Sequence, residues 1–182
     1  SNTAIGMNAL RDNTTANANT AVGLNSLLVN TTGTQNVAMG TYSLDANTTA
    51  NDNTGVGYAA LSDNTTGANN TAFGSEALLF NSTASNNTAV GSDALRLNTT
   101  GAQNTAVGAL AADEITTGAE NTAIGYRSMA STTTSSYNTA VGSDSLRTNS
   151  TGANNTALGY SALVLNTTAS NNTAVGYNAM LS

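Results

Sequence analysis

An apolar side chain returns every seventeen residues along this chain: Ile5, Val22, Met39, Val56, Phe73, Val90, Val107, Ile124, Val141, Leu158 and Val175. Each sits in the same setting, from Asn2-Thr3-Ala4-Ile5-Gly6 to Asn172-Thr173-Ala174-Val175-Gly176, with no insertion or deletion between. Counting that Asn as column 1, residues 1–182 form a single array of eleven repeats, starting at 2, 19, 36, 53, 70, 87, 104, 121, 138, 155 and 172, the last truncated. Columns 1 and 5 are Asn and Gly throughout. Column 3 is Ala except for Gly55, and column 8 is Ala or Ser. Column 9 is Leu apart from Ala112, Met129 and Met180, column 14 is always Thr, and column 15 is Gly, Ala or Ser.

Seventeen residues are too few for two helices and a turn, and Asn, Thr and Gly are poor helix interiors. Thr in column 2 and an often β-branched residue in column 4 alternate with period two, which predicts a short strand. Gly in column 5 then bends it. A second short strand is expected around Leu in column 9. Asn-Thr-Thr-Gly in columns 12–15 reads as a corner, with a small residue where φ can be positive. The sum is one coil of an all-β parallel β-solenoid, or β-roll, of about eleven coils. Coils stacked ~4.8 Å apart make a rod on the order of 50 Å long. Asn side chains in columns 1 and 12 are then placed to hydrogen-bond up the stack. A disordered tract has no reason to hold one apolar column in register for eleven periods.

The phase of the strand sets the faces. Columns 2 and 4 are expected inward with column 9, which turns the alanines of column 3 outward. A solvent face does not need alanine, so Ala21, Ala89, Ala106, Ala140 and Ala174 are predicted to pack against another protomer. Two large apolar side chains per coil, worth roughly 1.5–3 kcal/mol each, are few against the backbone entropy of seventeen residues. Self-association, as a trimer or as an end-to-end fibre, is the expected remedy. The chain starts Ser1-Asn2-Thr3 without an initiator Met, and neither end shows a cap, so a longer parent or end-to-end stacking is expected.

Composition narrows the chemistry. Charged residues make up 8% of the chain, against about 25% in typical globular proteins. All fourteen (four Arg, ten Asp and Glu) fall in columns 7, 10, 11 and 17, which must therefore face water. The net charge of -6 argues against nucleic acid and against an anionic membrane surface. No apolar run approaches the length of a membrane span. His, Cys, Lys, Pro and Trp are absent, which removes the usual zinc, haem and thiol ligands and the common catalytic base. Asp93 and Asp144 share a column three coils apart, about 14 Å, too far for a glycosidase pair. The acidic residues scatter over four columns without a calcium-roll motif. An enzyme is not expected, nor a metal or cofactor.

Asn87-Thr88-Ala89-Val90-Gly91 and Asn98-Thr99-Thr100-Gly101 resemble repeats of two related groups. One is the YadA-type head of trimeric autotransporter adhesins, whose shorter units build a parallel β-roll. The other is the repeat array of tail-fibre-like proteins of phages and bacteria. The resemblance covers all 182 residues. It implies a trimeric fibre at a cell or virion surface, extracellular, with a host-surface glycan or receptor as partner.

Three surface features remain as candidates. Tyr58, Tyr126, Tyr160 and Tyr177 share column 6 and could stack sugars, though Met, Leu, Thr, Ser and Ala fill the rest of that column. Asn-x-Thr/Ser sequons begin at column 12 in eight repeats, where a corner ladder explains them as well as glycosylation does. Threonine ranks in columns 2, 13 and 14 raise ice binding as the alternative function, with glycan binding beside it; adjacent Thr14 and Thr15 would point to opposite faces of a strand, against a flat rank. The leading expectation is a structural and adhesive fibre segment that acts as a rigid spacer and displays the variable columns 6, 7, 10 and 11.

Overall fold

The computed structural model describes residues 1–181. It contains eleven three-residue strands, each in columns 2–4: β1 (Thr3–Ile5), β2 (Thr20–Val22), β3 (Val37–Met39), β4 (Thr54–Val56), β5 (Thr71–Phe73), β6 (Thr88–Val90), β7 (Thr105–Val107), β8 (Thr122–Ile124), β9 (Thr139–Val141), β10 (Thr156–Leu158) and β11 (Thr173–Val175). They form one parallel sheet in chain order. Every pair is in register at seventeen residues, as in Thr88↔Thr105, Ala89↔Ala106 and Val90↔Val107. This is the predicted solenoid.

Backbone hydrogen bonds between coils continue beyond the strands. In the fifth coil, Thr71 N–H donates to Asn87 O at 2.8 Å, Leu78 N–H to Ala94 O at 3.0 Å and Phe80 N–H to Arg96 O at 3.0 Å, while Glu76 N–H reaches back to Tyr58 O at 2.8 Å. Columns 6–11 are not the expected second strand. They are successive tight turns, with Leu79 N–H donating to Glu76 O and Asn81 N–H to Leu78 O. Columns 7, 9 and 17 have positive φ in every coil, as in Glu76 (57°), Leu78 (53°) and Asn86 (63°). Column 15, where sequence suggested positive φ, does not. A left-handed Leu is unfavourable on its own. Here its N–H is bonded to the next coil and its side chain is fully buried in most coils, so the surroundings fix the conformation.

The inside of the coil has two halves. Ala72, Ala77 and Leu78 represent the apolar half, drawn from columns 3, 8 and 9. The other half is amide: Asn70 and Asn81, from columns 1 and 12, are fully buried beside Ala84 of column 15. The strand's phase is therefore opposite to the expectation. Ala21, Ala89, Ala106 and Ala140 are wholly buried and Ala174 nearly so within a single chain, and they offer no surface to a second protomer. Columns 2 and 4 face outward instead, and Phe73 is 57% exposed. Size decides this. Leu of column 9 fills the thin interior opposite the strand and leaves room only for a methyl group in column 3.

Column 5 admits no side chain at all. Its glycines have φ near 130–145°, and a Cβ on Gly91 would lie 2.5 Å from Gly108 O and 2.6 Å from Gly108 C. At Gly55 of column 3, by contrast, the nearest atom to an added Cβ is the rotatable Ser43 Oγ at 2.6 Å. Gly91→Ala is therefore expected to cost upwards of about 3 kcal/mol through clash and strain. Gly55→Ala should stay within about 1 kcal/mol, since ten sister coils already hold Ala there. Chemical unfolding of the two variants checks the contrast.

Candidate interaction surfaces

The buried asparagines determine which surfaces are open. In the fifth coil, Asn70 Nδ2 and Asn81 Nδ2 both donate to Ala84 O, at 2.8 and 3.0 Å. In the fourth, Asn53 and Asn64 close on Gly67 O in the same way, each at 2.9 Å. The free amide oxygens then stack the coils. Asn70 Oδ1 accepts from the backbone N–H of Asn87 at 3.0 Å, and Asn64 Oδ1 accepts from Asn81 Nδ2 at 2.8 Å. Column 1 repeats its rung at all ten junctions, from Asn19 on Asn2 to Asn172 on Asn155. Both ladders expected from sequence are present.

This arrangement closes most of the sequons. Asn30, Asn47, Asn64, Asn81, Asn98, Asn149 and Asn166 are at least nine-tenths buried, with Nδ2 engaged. A folded chain does not present those nitrogens to a transferase. Among the described residues the column 12 ladder lacks its first rung, from Asn30 to Asn13, and breaks again where Ile115 and Thr132 replace Asn; Asn13 Oδ1, Asn98 Oδ1 and Thr132 Oγ1 are left buried without partners.

The tyrosines of column 6 are exposed but do not make one stripe. Tyr160 and Tyr177 stack in neighbouring coils, with centroids 5.3 Å apart and planes 12° apart. Tyr58 meets Tyr42 of the preceding coil edge-on at 6.2 Å, a partner that column counting missed because Tyr42 lies in column 7. Tyr126 lies under the Arg127 guanidinium at 6.0 Å. Only the Tyr160–Tyr177 pair joins two of the four sequence candidates.

Charge forms short networks. Arg96 bridges Asp113 of the next coil at 3.0 Å and Asp93 of its own at 3.6 Å. Asp144 takes Arg147 at 3.3 Å and Arg127 of the preceding coil at 3.9 Å. Among the described residues there is no pocket and no cluster of three His, Cys, Asp or Glu side chains.

The outer face of the sheet is one continuous surface along the rod. It shows a threonine file in column 2, broken by Val37, and an apolar file in column 4. No charged residue lies in columns 1–6. Sequence reasoning missed this face because it placed both columns inside. The available signal was volume: the small Ala lies between two larger neighbours in nearly every repeat. Comparison with known proteins gives no match to any family model, curated protein or solved structure.

Asp45 has its carboxyl group held above its usual range. Burial raises it and nearby Asp63 adds to this, while Ser62 Oγ, which donates to Asp45 Oδ1 at 2.6 Å, partly offsets the effect. A raised carboxyl in the folded state favours folding most below the unfolded value near pH 4 and loses that contribution as pH rises through the folded value. Asp45→Asn should therefore melt above the native chain at pH 7, with the gap closing below about pH 4. Thermal melts across pH measure this.

Proposed function

We propose that this chain is a rigid spacer segment of an extracellular or virion-surface fibre, and that protomers associate as a trimer through the outer face of the sheet. The observation that carries the reading is the column 4 file. Ile5, Met39, Phe73, Ile124, Leu158 and Val175 are each more than a third exposed, in a row that runs the length of the solenoid. Eleven strands ~4.8 Å apart and three residues wide give a face on the order of 500 Å². Exposed apolar patches of a few hundred Å² are often functional, and here the apolar side chains form one unbroken file rather than scattered singles. The face carries no charge, and copies of the chain set around a common axis would cover it; the count of three is what the resemblance implies. This replaces the alanine column with a surface that is accessible.

The spacer role rests on continuity. Inter-coil hydrogen bonds join every coil to the next, so the rod has no internal linker at which to bend. The variable columns 6, 7, 10 and 11 lie on the turn segment, away from the sheet face, and are the part displayed to a host-surface glycan or receptor. The resemblance to adhesin heads and tail-fibre arrays points the same way.

Light scattering behind a sizing column tests the assembly. The expected mass is three times 18.1 kDa. Val90→Lys with Val107→Lys, in the middle of the face, should move it to the single-chain mass without loss of the β circular-dichroism signal. A native chain that elutes as a clean monomer overturns the reading.

A second prediction concerns the rod itself. Asn64→Asp sets a buried carboxylate against two acceptors, Asn47 Oδ1 and Gly67 O, where Asn64 Nδ2 now donates at 3.2 and 2.9 Å. The expected cost is at least about 3 kcal/mol at neutral pH, partly recovered in acid as the carboxyl gains a proton to donate. Urea unfolding at pH 7 and pH 4 measures both.

A further inference from the structure

Three columns never vary: Asn in column 1, Gly in column 5 and Thr in column 14. The coil's own contacts account for the first two. Asn closes the coil and stacks it on its neighbour. A side chain in column 5 would strike the glycine carbonyl of the next coil. No contact within the chain accounts for the third. From Thr15 to Thr168, column 14 is exposed in all ten coils that contain it, and its hydroxyls find no partner within the described chain.

Column 13 shows the contrast. Its hydroxyls donate to the next coil's backbone, as Thr31 Oγ1 does to Thr48 O at 3.1 Å and Ser82 Oγ to Thr99 O at 3.1 Å. There a hydroxyl suffices, and Ser replaces Thr twice. Column 14 keeps hydroxyl and methyl together every time and turns both outward.

The file runs along a corner of the coil, where columns 13 and 14 bend and column 15 turns inward in nearly every coil, leaving column 14 outside and column 16 part-exposed beside it. Column 16 holds only Asn, Thr, Ser and Ala, and columns 12–16 contain no charge and no aromatic ring. Coil stacking spaces the threonines by ~4.8 Å, and β-branching limits their χ1 freedom before any partner arrives. A protein or a soluble oligosaccharide is recognised by a shaped, chemically uneven site. A uniform, uncharged rank of ten equal groups suits a partner that is itself periodic and uncharged.

We infer that the Thr15–Thr168 file is an ice-binding rank. Each threonine offers a methyl and an unpaired hydroxyl to ordered water at a crystal face, and the hydrogen-bonded coil stack holds the rank in register. The file and the sheet face occupy different segments of the coil, columns 14–16 and 2–4, so a fibre packed through the sheet leaves the file open.

The test is the freezing–melting gap and crystal shape of the full chain in a nanolitre osmometer. The native chain should open a gap and facet the crystals. Thr83→Lys with Thr100→Lys and Thr117→Lys should return both to the buffer baseline, at unchanged mass and melting temperature. The matching Ser triple, which keeps the hydroxyls and removes only the methyls, should fold as Ser82 does beside it and lose most of the gap. Val90→Lys on the sheet face should keep the gap, which separates this inference from the fibre assembly. A native chain indistinguishable from buffer overturns it, as does a Lys triple that folds and still shapes ice. Sedimentation with crystalline cellulose while ice grows unshaped also overturns it, and assigns the file to a carbohydrate lattice.

Discussion

The structure depends on one carbonyl in each coil. In most coils the column 15 C=O receives two side-chain amides, one from the start of the repeat and one from its corner, as Gly101 O does from Asn87 and Asn98. These bonds span fourteen residues and three residues, so together they fix the circumference of the coil and the shape of its corner. An unsatisfied buried carbonyl costs about 1–3 kcal/mol; in most coils it is doubly satisfied, and Gly118 O, Ser135 O and Gly152 O each keep one amide. Asn is the side chain that fits, because one amide can donate to the carbonyl and still present an acceptor to the next coil. Asp lacks the donor, and Ser and Thr lack the reach. A seventeen-residue period without insertions follows, since one extra residue would move the carbonyl away from both amides.

The clamp also sets the interior. With half of the coil filled by amide, the apolar half has space for one Leu, one small residue in column 8 and the methyl of column 3. A core this thin cannot hold the coil by burial alone, so backbone hydrogen bonds between coils carry much of the load. Continuous bonding requires the turn segment to alternate its N–H groups up and down the stack, which forces columns 7 and 9 into left-handed conformations. The strain is local and repeats in every coil, and the closed stack holds it in place.

The repeat, the parallel solenoid, both Asn ladders and the solvent-facing charged columns were legible in the sequence, because each is a statement about period and column chemistry. The phase of the strand was not. Ala89 and Val90 are both apolar, so alternation says that they face opposite ways without saying which is inside; the volume left by Leu95 decides it. The left-handed turn was hidden for a related reason. Glu76, Leu78 and Asn86 share no residue type that signals positive φ, and only the inter-coil hydrogen bonds impose it. The open surfaces followed from these two points. Once the phase is known, the column 4 file is outside and the alanines are closed. Once column 15 is known to turn inward, Thr14 and Thr15 separate into a stacking hydroxyl and a free one.

Coils seven and eight show how such a stack tolerates drift. Ile115 and Thr132 interrupt the column 12 ladder and strand Asn98 Oδ1, while the column 1 ladder passes through unbroken at Asn104, Asn121 and Asn138. The ion pairs that join different coils lie at the edges of this interval, Arg96 to Asp113 across the sixth and seventh coils and Arg127 to Asp144 across the eighth and ninth. In a linear array each junction is stabilised by its neighbours alone, so a lost rung must be compensated nearby. Partly exposed ion pairs are weak substitutes, worth about 0–1 kcal/mol each, and Ile115 adds its own fully buried side chain. The two ladders therefore do different work. Column 1 cannot change, because it bonds the backbone of the next coil and closes its own, whereas column 12 shares its carbonyl with column 1 and can be replaced where packing and charge compensate.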